Sequence, residues 1–202
     1  MLLAAGAAAM LAVAYSGNAS ATVTDSSAGT DGIATDSGGG FDLLSIFNTD
    51  TPDMSNPNLR AFLDMIAVSE GTKGRGDDGY NILVGGSTFG SYIDHPRQKV
   101  WIASIGNYST AAGRYQMIAA TWDSVRNALR LPDFSPASQD AGATELIRRR
   151  GALSSIYAGD IAGAINKCRR EWASLPGAGY GQRENALSSL LSAYQNAGGV
   201  LA

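Results

Sequence analysis

One cysteine in 202 residues excludes an internal disulfide and a cysteine-built zinc cluster. One histidine excludes metal motifs that need two, H-E-x-x-H among them. No base precedes Arg60: residues 1–59 carry six acids, and the other twelve acids and all fifteen bases follow, leaving that part at +3. A mildly basic region suits an anionic polymer, but no nucleic-acid motif accompanies it, so no nucleic-acid partner is expected. The opening apolar run, MLLAAGAAAMLAVAY, is fifteen residues, short of the roughly 20 that span a bilayer. Nothing in the pattern calls for a metal or a cofactor. Cys168 lies between Lys167 and Arg169, which would favour a thiolate, but with no partner base in sequence reach it reads as structural.

What is present divides the chain in three. Residues 1–21 match the h-region of a signal sequence in length, with an A-x-A-like site at Ala19 and Ala21 but no basic start. They are expected to export the chain to the periplasm or to tether it weakly and transiently to the inner membrane. Residues 22–57 are rich in Ser, Thr, Gly and Asp and read as a flexible linker, interrupted by the apolar FDLLSIF. Residues 58–202 form the folded domain, expected to be a monomer. The patterning predicts an α+β fold, mostly helical with one small sheet. A first helix starts near Pro57 with Asn56 or Ser55 as cap and ends at Glu70. YNILVGG (80–86) and KVWIAS (99–104) read as strands. A helix follows Thr121 with Trp122, Val125 and Leu129 on one face. Another opens at Ser135-Pro136 and closes on Arg148, Arg149 and Arg150, a basic run that complements the helix dipole. Asp160 caps a helix running to Trp172, and a last helix carries Leu187, Leu190, Leu191 and Tyr194 and stops at Gly198. Trp122 and Trp172 are expected in the core.

Glu70 stands out in this pattern. Leu59, Phe62, Leu63 and Ile66 make an apolar stripe at i, i+3, i+4 and i+7, and at about 100° per residue Glu70 falls in the middle of it. The acid would sit on the buried face, at the negative end of the helix dipole. Both settings disfavour its anion. A carboxylic acid still protonated near neutral pH is suited to general acid catalysis; a frayed helix end would instead leave Glu70 in water.

Seven ordered blocks, RAFLDMIAVSEGT, GYNILVGG, DHPR, AGRYQM, DFSPASQDA, RGAL and WASLPGAGYGQ, resemble the bacteriophage lambda endolysin family over roughly residues 58–199. The resemblance implies a lysozyme-like fold. It also implies a lytic transglycosylase that cleaves peptidoglycan between N-acetylmuramic acid and N-acetylglucosamine and forms a 1,6-anhydro sugar. The glutamate of the family's SEG motif is the catalytic acid and corresponds to Glu70. A glycosidase with two carboxylates needs a second acid about 5–10 Å away; a transglycosylase does not. Asn81 stands where the family pattern has aspartate, and Asp77 and Asp78, in a loop shorter than the family's, remain as candidate second acids.

GRYQ is similar to the Gly-x-x-Gln motif of lysozyme-like transglycosylases, which makes Tyr115 and Gln116 candidates for substrate binding, although Tyr115 suits a core position equally. Two mobile loops flank the family's groove. They correspond to about 98–107, with Trp101, and 175–183, with Tyr180 and Gln182. Aromatic rings there would stack on sugars, and Gly177, Gly179 and Gly181 would let the second loop move. His95 is expected to be structural. The alternatives are a hydrolytic muramidase, a virion-associated wall-opening enzyme, or a glycan-binding module; the intact SEGT argues against the last.

Overall fold

The computed structural model describes residues 52–104 and 106–202. The segment 1–21, FDLLSIF and most of the linker lie outside the described residues. Among the described residues, six helices and one two-stranded sheet follow in the order α1 (Pro57–Ser69), β1 (Val100–Ile102), β2 (Asn107–Ser109), α2 (Ala119–Leu129), α3 (Pro136–Arg149), α4 (Leu153–Tyr157), α5 (Ile161–Cys168) and α6 (Leu187–Asn196).

Helix α1 is the centre of the core. The Asn56 side chain accepts the N–H groups of Asn58 and Leu59, and Pro57 opens the first turn. Its stripe of Leu59, Phe62, Leu63 and Ile66 is buried, and it packs against α3, α4 and α6. The helix ends in a Schellman motif. Thr72 N–H returns to Ala67 O and Gly71 N–H to Val68 O, with Gly71 at φ +70°, a conformation glycine adopts without a Cβ penalty. Glu70 is therefore the last residue with helical backbone.

The strands differ from the sequence expectation. β1 does form, but its partner is Asn107–Ser109, with Trp101 opposite Tyr108. The stretch 80–86 makes only isolated bridges, Ile82 to Thr88 and Leu83 to Ala112. Gly79, Gly85 and Gly86 take positive φ, which breaks the extended run. Ile82, Leu83 and Val84 are all buried in succession, without the alternation of a half-exposed strand.

Three helices also need adjustment. Leu129 is the last residue of α2 and is exposed, while Trp122 and Val125 are buried. Helix α5 begins at the Asp160 cap but stops at Cys168. Beyond it the chain turns, so that Trp172 can bury its ring and donate Nε1–H to Tyr115 O. The arginines that close α3 do more than answer a dipole: Arg148 and Arg149 both bind the Glu145 carboxylate, and Arg150 binds Glu171. Cys168 is buried, and burial pushes its thiol up to about 12 despite Lys167, which fits the structural reading. Among the described residues no helix is long and apolar enough to cross a membrane.

Candidate active site

Glu70 is buried to 4% exposure. Its Oε1 accepts a hydrogen bond from Ser174 Oγ at 2.6 Å, and its Oε2 has no partner among the described residues. Burial raises its pKa to about 8, with the Ser174 hydroxyl pulling weakly the other way. The C-terminal end of α1 acts in the same direction as burial. At neutral pH the side chain is thus a neutral acid with one oxygen held and one unpartnered. Chemically, that is a proton donor waiting for an acceptor.

The groups that hold it come from far along the chain. Ser69 Oγ lies 2.7 Å from Ser174 Oγ. Asn185 Nδ2 reaches Ser69 O, Ser69 Oγ and Ser174 O, each at 3.1 Å, and Asn185 N–H donates to Ser174 O. Sequence reading did not single out Ser174 or Asn185. The only signal was that Ser174 lies in the WASLPG block.

A second set of bonds fixes the backbone around this carboxyl. Thr72 Oγ1 donates to Arg114 O at 2.6 Å, and Trp172 Nε1 to Tyr115 O at 3.1 Å. The segment 114–116 is thereby tied both to the end of α1 and to the chain before Ser174. Arg114, its side chain 3% exposed, binds the carboxylates of Asp64 and Asp78 and stacks over the Tyr80 ring.

The sequence-predicted substrate residues fall into two groups. Tyr115 and Gln116 are buried and used internally. Tyr115 OH donates to Asp140 Oδ1 at 2.6 Å. Gln116 sits at φ +48°, and its amide donates to Ile82 O and Gly113 O. The amide thus braces the loop 80–86 against 113–116. Positive φ at a non-glycine residue costs about 1–3 kcal/mol and gathers at functional sites. Trp101 is 54% exposed and meets Tyr108, 59% exposed, edge to face at 5.1 Å. Tyr180, half-buried, donates to Arg170 O, and Gln182 is half-buried nearby in sequence. Their loop is braced by Glu184, whose carboxylate accepts the Gly177 and Gly179 N–H groups.

The candidate second acids are occupied. Asp77 accepts from Tyr92 OH, and the Asn81 side chain accepts Asp77 N–H. Asp78 binds Lys73 and Arg114. Burial lifts its pKa, but the Gly74 N–H, Arg114 and Lys73 outweigh that and leave it lowered. Asp78 is a poor base. His95 is structural as expected: Nδ1 accepts from Arg97 N–H, so Nε2 carries the proton toward Met117 O, and burial lowers its pKa. No group of acids, histidine and cysteine among the described residues is arranged to hold a metal.

Comparisons agree with this architecture. The family model Endolysin matches residues 60–201. The endolysin of Escherichia phage lambda is 50% identical over 150 residues, covering 72% of this chain and 94% of that protein. The endolysin of Escherichia phage P2 is 49% identical over 158 residues, covering 72% of this chain and 96% of that protein. A structure of bacteriophage lambda lysozyme in complex with a chitohexasaccharide superposes with a TM-score of 0.71 at 47% identity, over 75% of this chain and all of that one. A second structure, lysozyme from bacteriophage lambda, superposes with a TM-score of 0.68 at 46% identity, over the same shares.

Proposed function

The chain belongs to the endolysin family, and from that premise we propose that it degrades bacterial peptidoglycan as a lytic transglycosylase, with Glu70 as its single catalytic carboxyl. The observation that carries the reading is the state of Glu70: buried, raised to about 8, and unpartnered at Oε2. Substrate class is supported by the relative whose structure holds a chitohexasaccharide, a β-linked sugar chain.

Oε2–H donates its proton to the glycosidic oxygen as the bond from that oxygen to the muramic C1 breaks. The positive charge that develops at C1 is relieved by the sugar's own C6 hydroxyl. Its oxygen forms the bond to C1 and its proton passes to the Glu70 carboxylate. The acid is regenerated, no water is consumed, and the product is the 1,6-anhydro sugar. The attack is intramolecular and gains from proximity. Asp77 and Asp78 have no place in this scheme, consistent with their engagement elsewhere.

Glu70 is only 4% exposed, and the loop 175–183, the counterpart of a mobile loop beside the family's groove, is the segment that moves to admit substrate. Its glycines at positive φ, Gly177, Gly179 and Gly181, permit that movement. Trp101 and Tyr180 are the sugar-stacking candidates. Tyr115 and Gln116 act from beneath, by shaping the backbone around the carboxyl. Residues 1–21 direct the enzyme out of the cytoplasm, as a cleaved signal or a retained weak tether, and 22–57 link them to the catalytic domain.

Mass spectrometry of a peptidoglycan digest tests the reaction. Muropeptides lighter by one water, without reducing muramic ends, are expected. Reducing ends throughout would replace this scheme with hydrolysis by a muramidase.

A further inference from the structure

We infer that Asn185 is a positioning residue that aims the hydroxyl hydrogens of Ser69 and Ser174 at Glu70 Oε1, and so assigns the acid proton to Oε2. The inference rests on the reading of Glu70 as the proton donor.

The argument is one of donors and acceptors. Asn185 approaches two backbone carbonyls, Ser69 O and Ser174 O. Carbonyls only accept, so the group facing them is the amide NH2, and the orientation of the Asn185 side chain is determined. With two hydrogens for three acceptors, the NH2 shares one of them between Ser69 O and Ser69 Oγ. Because the single Ser174 hydrogen is committed to Glu70 Oε1 at 2.6 Å, Ser69 is the donor across the 2.7 Å contact between the two hydroxyls, and its Oγ keeps its lone pairs for Asn185. The run is Asn185 to Ser69 to Ser174 to Oε1, every hydrogen pointing the same way, and such chains strengthen each bond in turn. An oxygen that accepts a hydrogen bond is a poor site for the proton. The proton is left on Oε2, the oxygen with no partner among the described residues.

The source of this direction lies just beyond the loop 175–183. Asn185 directly follows Glu184, which clamps Gly177 and Gly179. The members of the run are uncharged, and no charged side chain from α1 or from the chain around Ser174 is among the causes acting on Glu70, which are burial and the Ser174 hydroxyl. A change in its titration therefore reports on the hydroxyl.

The test is a cycle of Asn185→Ala, Ser174→Ala and the double variant in the full-length protein, each correctly folded by circular dichroism. Two quantities are read: the titration of the Glu70 carboxyl carbon by NMR without substrate, and the basic limb of kcat/KM against pH. Ser174→Ala removes a donor to the anion, so both should move upward by about half a unit or more. Asn185→Ala should move them the same way to a lesser extent, and lower kcat about three- to ten-fold with KM changed less than about two-fold. In the Ser174→Ala background, adding Asn185→Ala should move neither titration further. A merely structural Asn185 would lower the melting temperature and leave both titrations in place, and that result overturns the inference. Additive shifts in the double variant overturn it too. If Glu70→Gln keeps full activity, the catalytic reading fails, yet the carbon titration still decides whether Asn185 acts on the carboxyl.

Discussion

Replacing Glu70 by Gln should abolish activity and, with rising pH, stabilise the fold. The unfolded chain releases this proton near the ordinary carboxyl value of 4.5, the folded chain near about 8. Between those values the folded state binds more protons than the unfolded state, so stability falls as pH rises through the window and levels off above it. Each pKa unit is worth about 1.4 kcal/mol. The buried carboxyl therefore costs the fold about 3 kcal/mol at pH 7 and about 5 kcal/mol at pH 9. Gln cannot ionise and escapes this cost. Its NH2 takes the unpartnered place of Oε2, a penalty of about 1–3 kcal/mol that does not change with pH. The slope is thus cleaner than any single value. Urea unfolding of parent and Glu70→Gln at pH 5, 7 and 9 should show the variant gaining about 4 kcal/mol on the parent across the series. In a domain of this size that is a relative rise in Tm of about 10 °C or more. Turbidity clearing of peptidoglycan by the variant should fall by about three powers of ten or more, because an amide has no proton to give. A difference in stability independent of pH would refute the buried neutral acid, whatever the activity did.

Asp77→Asn should leave activity within about two-fold of the parent, since the amide oxygen still accepts from Tyr92 OH; a loss of several powers of ten would point to a second catalytic carboxylate. Asp78→Asn should also keep its specific activity but lose about 1 kcal/mol of stability, because it weakens the partner of a buried Arg114; thermal melts check it. Trp101→Ala should lower kcat/KM on polymeric substrate about five- to ten-fold without moving Tm, since the ring is more than half exposed; unchanged kinetics would remove Trp101 from the binding surface. Deletion of residues 1–21 should keep the enzyme in the cytosol on cell fractionation, and a full-length chain found there as well would refute the export reading.

How much of this was legible beforehand follows from the range of each interaction. A helix repeats every 3.6 residues, so the stripe of α1, its Asn56 cap and the acid at its end could be read from a window of fifteen residues. The SEGT turn is equally local: Gly71 at positive φ and two returning hydrogen bonds close it within one turn. Burial of Glu70 was foreseeable because it shares a face with Phe62 and Ile66. Its chemistry beyond burial was not. Ser174 meets Glu70 across 104 residues, and Asn185 meets Ser69 across 116. No periodicity carries such pairings, which exist only because the chain after Trp172 crosses the end of α1. The same holds for Tyr115 and Gln116. Their motif was visible, but whether their polar ends face solvent or the interior was decided by Asp140, Ile82 and Gly113 arriving from elsewhere. Likewise 80–86 looked like a strand by composition, and lost that form because Gly79 before it, Gly85 and Gly86 within it and its burial on both sides had to be satisfied in the folded chain.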